Sequence, residues 1–274
     1  MDKIKEEILE SFFLKAVHEP AYRPEFLQQL MSANVYCVGS SDQDDQQDEI
    51  TAHILHSGAS IQLKSWEDES YDCVIPFFTS LEKMRLAISE DESFICLPTK
   101  TLFEMTFGAR LVLNSQSPDA SKDFIPDEIH YLLQGEFAAP AENYAVEEDI
   151  QVLIGQPSEY PQFMIEQLNI LFGSEPSVKA AYLAQMLNQA RDAQPTLLIG
   201  LDLDDGLAEK QIQELHSKIG RVTYDSLPEK QAIDLIHLKQ GADDGVADYL
   251  LNETQAFYLR NQGKKKGLFA RLFS

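Results

Sequence analysis

Between Ile75 and Asn114 the chain alternates short apolar runs with short helical stretches whose first turns carry polar caps, and this rhythm points to an α+β arrangement. Residues 73–77 read as a strand. Thr79 or Ser80 then caps a helix over 81–89, with Glu82 in the first turn where an acid meets the positive end of the helix dipole. A strand at 94–97 stops at Pro98, Thr99 or Thr101 opens a helix through Met105 that ends at Gly108, and 110–114 is a strand again. Upstream, Ile4, Ile8, Leu9, Phe12, Phe13 and Ala16 recur at helical spacing until Pro20, and Pro24 opens a second helix to Met31. A strand at 35–38, a hairpin from 60–66 to 73–77 and a short helix at 126–134 complete a first domain, residues 1–136, with a sheet of four or five strands.

Residues 137–149 are polar, contain Pro140 and four acids, and read as a linker. Beyond it the order is strand 152–155, helix 161–172, strands 178–187 and 196–203, helix 207–219 and strand 232–238. That is β-α-β-β-α-β, the ferredoxin-like order, with a last helix at 245–251. The expected fold class is therefore α+β in two domains: 1–136, a mixed α+β sheet domain, and 150–259, a ferredoxin-like domain. Residues 260–274 form a separate basic tail.

The block Phe77-Phe78-Thr79-Ser80-Leu81-Glu82, with Leu102-Phe103-Glu104-Met105-Thr106 and Leu111-Val112-Leu113-Asn114, resembles the N-terminal domain of the SseB (enhanced serine sensitivity) family. Ile154-Gly155-Gln156-Pro157, Tyr182-Leu183-Ala184-Gln185-Met186 and Leu197-Leu198-Ile199-Gly200-Leu201 are similar to the C-terminal domain of the same family. The resemblance implies a two-domain bacterial cytosolic protein whose label records a growth phenotype. It brings no catalytic residues with it.

Charge excludes several functions. The chain of 274 residues has a net charge of −23, and because residues 260–274 hold five cations and no acid, the remainder carries about −28. Such a body repels nucleic-acid phosphate and anionic lipid, so no nucleic-acid partner is expected. No apolar run approaches the ~18 residues of a membrane span, and the first residues lack a signal peptide's apolar core, so a cytoplasmic location is expected. Cys37, Cys73 and Cys96 each sit in an apolar run without Cys-x-x-Cys spacing, which suits buried thiols and neither a disulfide framework nor a zinc site.

The most enzyme-like stretch is the apolar run 197–203 ending in Asp202-Leu203-Asp204-Asp205-Gly206. Asp202 and Asp204 project to one side of a strand, as the nucleophile and acid/base of a magnesium-dependent phosphotransferase do, and Asp243-Asp244 could supply a later acidic pair. The alternative is a strand-to-helix turn in which Asp204 or Asp205 caps the helix beside Glu209. Counted as a calcium loop the same stretch fails, because Leu207 and Gln213 stand where Gly and Glu are needed. His53 and His56 are three apart but lack a third ligand, and the other histidines are scattered, so neither a metal nor another cofactor is expected. Gly155, Gln156, Tyr160, Gln185 and Gly200 are candidates to line a groove beyond the strand ends, although core and turn geometry accounts for them as well. In the tail, Lys264, Lys265, Lys266 and Arg271 accompany Leu268, Phe269, Leu272 and Phe273, which share one face of a helix. That segment suits docking on the acidic body, on a protein partner or, less well, on a membrane surface. The function expected is a non-enzymatic adaptor or regulator that binds protein, with an amino-acid sensor and the Asp202/Asp204 phosphotransferase as alternatives; the oligomeric state stays open.

Overall fold

The computed structural model describes residues 3–41, 60–68, 71–88, 92–135, 152–188, 194–231, 233–238 and 245–260, and every count below is of these residues. The chain divides into two compact units, Met1–Pro140 and Ala141–Ser274. The two-domain α+β class expected from the sequence is what the chain adopts.

In the first unit, α1 (Lys3–His18) ends before Pro20, and a short 3-10 turn (Pro20–Tyr22) leads into α2 (Arg23–Ser32), whose first turn holds Pro24. There follow β1 (Asn34–Ser41), β2 (Ile61–Leu63), β3 (Trp66–Asp68), β4 (Tyr71–Phe78), α3 (Leu81–Ala87), β5 (Phe94–Pro98), α4 (Thr99–Met105), β6 (Leu111–Leu113), β7 (Lys122–Phe124) and α5 (Pro126–Leu133). Seven strands stand where four or five were expected. β1 pairs antiparallel with β2, β4 and β5; β4 runs parallel to β6, and β7 closes against β6. The expected hairpin is split. Only β3 returns onto β4, while β2 crosses to β1, where Gly39 lets the two backbones approach: a Cβ at Gly39 would overlap the Gln62 carbonyl oxygen. Ser80 caps α3, its Oγ accepting from the Lys83 amide at 3.3 Å. Neither threonine caps α4; Thr99 donates to the Ala33 carbonyl instead, at 3.1 Å.

The core of this unit gathers Phe77, Phe103 and Phe124, whose ring centroids lie 5.5–5.9 Å from one another. All three are fully buried, each worth about 1.5–3 kcal/mol of transfer free energy. Phe13 of α1 stacks on Phe26 of α2 at 4.8 Å, so the two helices cover one face of the sheet together.

The second unit runs β8 (Val152–Gly155), α6 (Gln162–Ser174), β9 (Val178–Asn188), β10 (Thr196–Leu203), α7 (Glu209–Ser226), β11 (Asp234–His237), α8 (Gly245–Glu253) and β12 (Ala256–Leu259). The element order is the expected one with β12 added, but the pairing is not that of a ferredoxin-like split unit. β8 lies antiparallel beside β9, its neighbour in sequence, and β10 runs parallel to β11 with no strand between them. The reason lies in β9. Its 11 residues give one edge to β10 and leave the other long enough for β8, at 185–188, and β12, at 180–182, to lie end to end. The centre of β10, residues 197–201, is apolar because both faces are covered: Leu197, Ile199 and Leu201 pack under α6 and α7, and Leu198 under α8.

Replacing Gly39 by Ala forces β2 away from β1 and is expected to destabilise the first unit by about 1–3 kcal/mol in urea unfolding. Gly155→Ala, where a Cβ meets nothing within 4 Å, should change stability by less than about 0.5 kcal/mol. Equal effects would show that the β1–β2 approach is not tight.

Candidate functional site

The Asp202–Asp204 segment lies at the end of β10, and both carboxylates are engaged by cations. Lys179 Nζ donates to Asp202 Oδ1 at 3.1 Å. Arg260 grips Asp204 with two parallel hydrogen bonds, Nη1 to Oδ2 at 2.7 Å and Nη2 to Oδ1 at 2.9 Å. The same guanidinium donates to the Pro176 carbonyl, and the Arg260 amide donates to the Lys179 carbonyl at 2.8 Å. Hydrogen bonding from Arg260 holds the Asp204 carboxyl below its ordinary range, with the charges of Arg260 and Lys179 adding to it. Arg260, expected as the start of the basic tail, thus belongs to the folded unit. Neither Asp204 nor Asp205 caps α7; the cap position is Ala208, whose amide donates to Gln211 Oε1 at 3.0 Å. Each carboxylate is turned to a neighbouring cationic side chain while remaining partly exposed.

Of the candidate groove residues, Gly155 and Gln185 stand opposite each other in the β8–β9 register, and Gln185 Oε1 accepts from the Ser158 amide at 3.2 Å, fastening the turn that Gln156 begins. Tyr160, at the far end of that turn, is exposed. Gly200 lies apart from them on β10, under α8: a Cβ there would come within 2.8 Å of Leu250 and 3.1 Å of Leu238. The tail residues Lys264, Lys265, Lys266, Leu268, Phe269, Arg271, Leu272 and Phe273 fall outside the described residues, as do His53, His56, Asp243, Asp244 and the linker at 137–149.

The three thiols differ. Burial pushes Cys37 up strongly and raises half-buried Cys96, but Cys73, expected in the core, is exposed. His216 of α7 and His237 of β11, scattered in sequence, meet with their Nε2 atoms 2.8 Å apart. Burial, and then the facing His237 ring, push the His216 imidazole down to about 4, so it is neutral at physiological pH.

One polar cluster escaped the sequence reading. β4 and β6 are parallel, and at their carboxyl ends the Thr79 amide donates to Asn114 Oδ1 at 2.9 Å while Asn114 Nδ2 donates to Thr79 Oγ1 at 3.0 Å. Glu10 of α1 completes the cluster, its Oε1 accepting from Thr79 Oγ1 at 2.9 Å and Ser80 Oγ at 2.7 Å. Asn114 sits in the left-handed region, φ 50°, which Asn tolerates better than most residues. The residue stretches 77–82 and 111–114, far apart in sequence, converge here. The visible signal was a polar residue closing each apolar run; Glu10, about 70 positions away, gave none.

These features define a two-unit α+β protein. The family model described as SseB protein N-terminal domain matches residues 12–131, and that described as SseB protein C-terminal domain matches residues 146–260. Protein SseB of Escherichia coli (strain K12) is 35% identical over 264 residues, covering 96% of this chain and 95% of its own, and Protein SseB of Shigella flexneri gives the same figures. No solved structure matches the chain. The chain belongs to the SseB family. No helix among the described residues is long and apolar enough to cross a membrane.

Because Asp204 ionises more readily folded than unfolded, the Arg260 pair stabilises the fold above the ordinary carboxylate range, and that contribution disappears as pH falls through the folded value. Asp204→Asn should therefore lower the melting temperature at neutral pH, with the gap to the wild type closing below about pH 4. A gap that is constant across this range would show that the ion pair is not the cause.

Proposed function

We propose that this protein is a non-enzymatic cytoplasmic adaptor or regulator of the SseB type that works by binding another protein through its basic, apolar C-terminal segment. The family label ties that role to serine sensitivity. One observation carries the reading: Arg260 grips Asp204 of the most enzyme-like pair of carboxylates, whose other member Asp202 is held by Lys179, and at the same time fixes the end of β12, four residues before Lys264. The residue that pairs with Asp204 thus also stands just ahead of residues 264–273 in the chain.

The chemistry of the segment supports the same role. Four apolar side chains, Leu268, Phe269, Leu272 and Phe273, offer a gross ~6–12 kcal/mol on burial before ordering costs. A helix so short forms only when it docks. Its cations favour an acidic surface on the partner and set it apart from the rest of this chain.

Ending the chain at Gly263 tests the proposal. The shortened protein should lose the partner that co-purifies with the full-length chain at native expression level, while its melting temperature stays unchanged. Retained partner would contradict the assignment of the segment as the interface. A melting temperature several degrees lower would show that the segment packs on its own body.

A further inference from the structure

The two imidazoles that meet between α7 and β11 take no part in the roles described above. Their Nε2 atoms face each other at 2.8 Å with ring centroids 4.9 Å apart, so a single proton lies between two nitrogens that each carry a lone pair when deprotonated. Both backbones are held. His216 sits beside Leu215 in a helix whose Leu215 and Ile219 are buried, and His237 is in register with Leu201 of β10, with the next amide, of Leu238, bonded to the Leu201 carbonyl at 2.8 Å. His237 is exposed and His216 half-buried, so a change in side-chain torsions is what separates the two rings.

The geometry points to a site for a divalent d-block cation (nickel, copper or zinc) held by His216 and His237 through Nε2, with water in the remaining positions. Imidazole nitrogen suits these ions, whereas magnesium and calcium prefer oxygen. Bonds of about 2.0–2.1 Å at a tetrahedral ion place two nitrogens about 3.3 Å apart, so the rings need to separate by about half an ångström. The ion takes the place of the shared proton, and each ring then carries its own proton on Nδ1. Among the described residues no group of three or more metal-ligating side chains converges, so the ion keeps an open, water-filled side. The consequence is a staple between α7 and β11, a strand that pairs with β10 alone among the described strands.

The acidic surface attracts any cation, so the test separates imidazole from carboxylate binding. Full-length protein is titrated calorimetrically with NiCl2 in excess MgCl2 near neutral pH, beside His216→Gln and His237→Gln checked for wild-type circular dichroism. The wild type should take up one equivalent, and each variant should bind about tenfold or more weakly. With Cu2+ in place of Ni2+, electron paramagnetic resonance should show nitrogen coupling that both variants lose. Unchanged nickel affinity in the two variants, or no uptake by the wild type above the magnesium background, would overturn the site.

Discussion

The length of β9 governs the C-terminal unit. Its eleven residues exceed what either short strand beside it needs, so one edge serves β10 and the other is shared by β8 and β12. The first strand is thereby drawn to its sequence neighbour, and the last strand gains a place in the sheet. β12 is four residues long and weak by itself. Two further contacts hold it: the Tyr258 hydroxyl donates to the Phe172 carbonyl at 2.9 Å, and Arg260 reaches Asp204 and Pro176. The acidic pair at the end of β10 is part of how the sheet is closed.

A comparable use of acids organises the first unit. Glu6 and Glu10, four apart on α1, accept from the hydroxyls of Tyr36 at 2.9 Å, Thr79 and Ser80. Leu9 and Phe13 of the same helix enter the core. The helix is therefore fixed by apolar burial and by neutral donors that satisfy carboxylates. Some of the chain's large acidic surplus is structural, and its sign does not by itself identify a binding surface. In both units the carboxylates of a cluster that could pass for a site also serve the fold, as hydrogen-bond acceptors from neighbouring side chains.

Much of this was legible in the sequence, for reasons that can be located. The unbroken apolar run 197–201 marks the body of β10, because a strand covered on both faces needs no polar alternation. Ser80 announced the start of α3. α7 continues to Ser226, past the end at 219 that the apolar spacing predicts: Thr223 and Ser226 are buried with their hydroxyls returned to the Ile219 and Val222 carbonyls, so polar residues occupy the core-facing stripe. β7 and β12 are three and four residues long, too brief for a period to register. Strand pairing was beyond reach because it depends on which edges remain free. The same holds for the meetings of Glu10 with Ser80, His216 with His237 and Asp204 with Arg260, which the fold brings about across 21 to 70 positions.

That the Asp202–Asp204 segment is a latch for β12 rather than a reaction centre is tested most directly by a double-mutant cycle. Asp204→Asn, Arg260→Gln and the double variant are unfolded chemically beside the wild type at neutral pH. A latch predicts that the double variant loses clearly less stability than the sum of the two single losses, since either change alone already breaks the pair. Strict additivity would contradict it and return Asp204 to the residues available for chemistry.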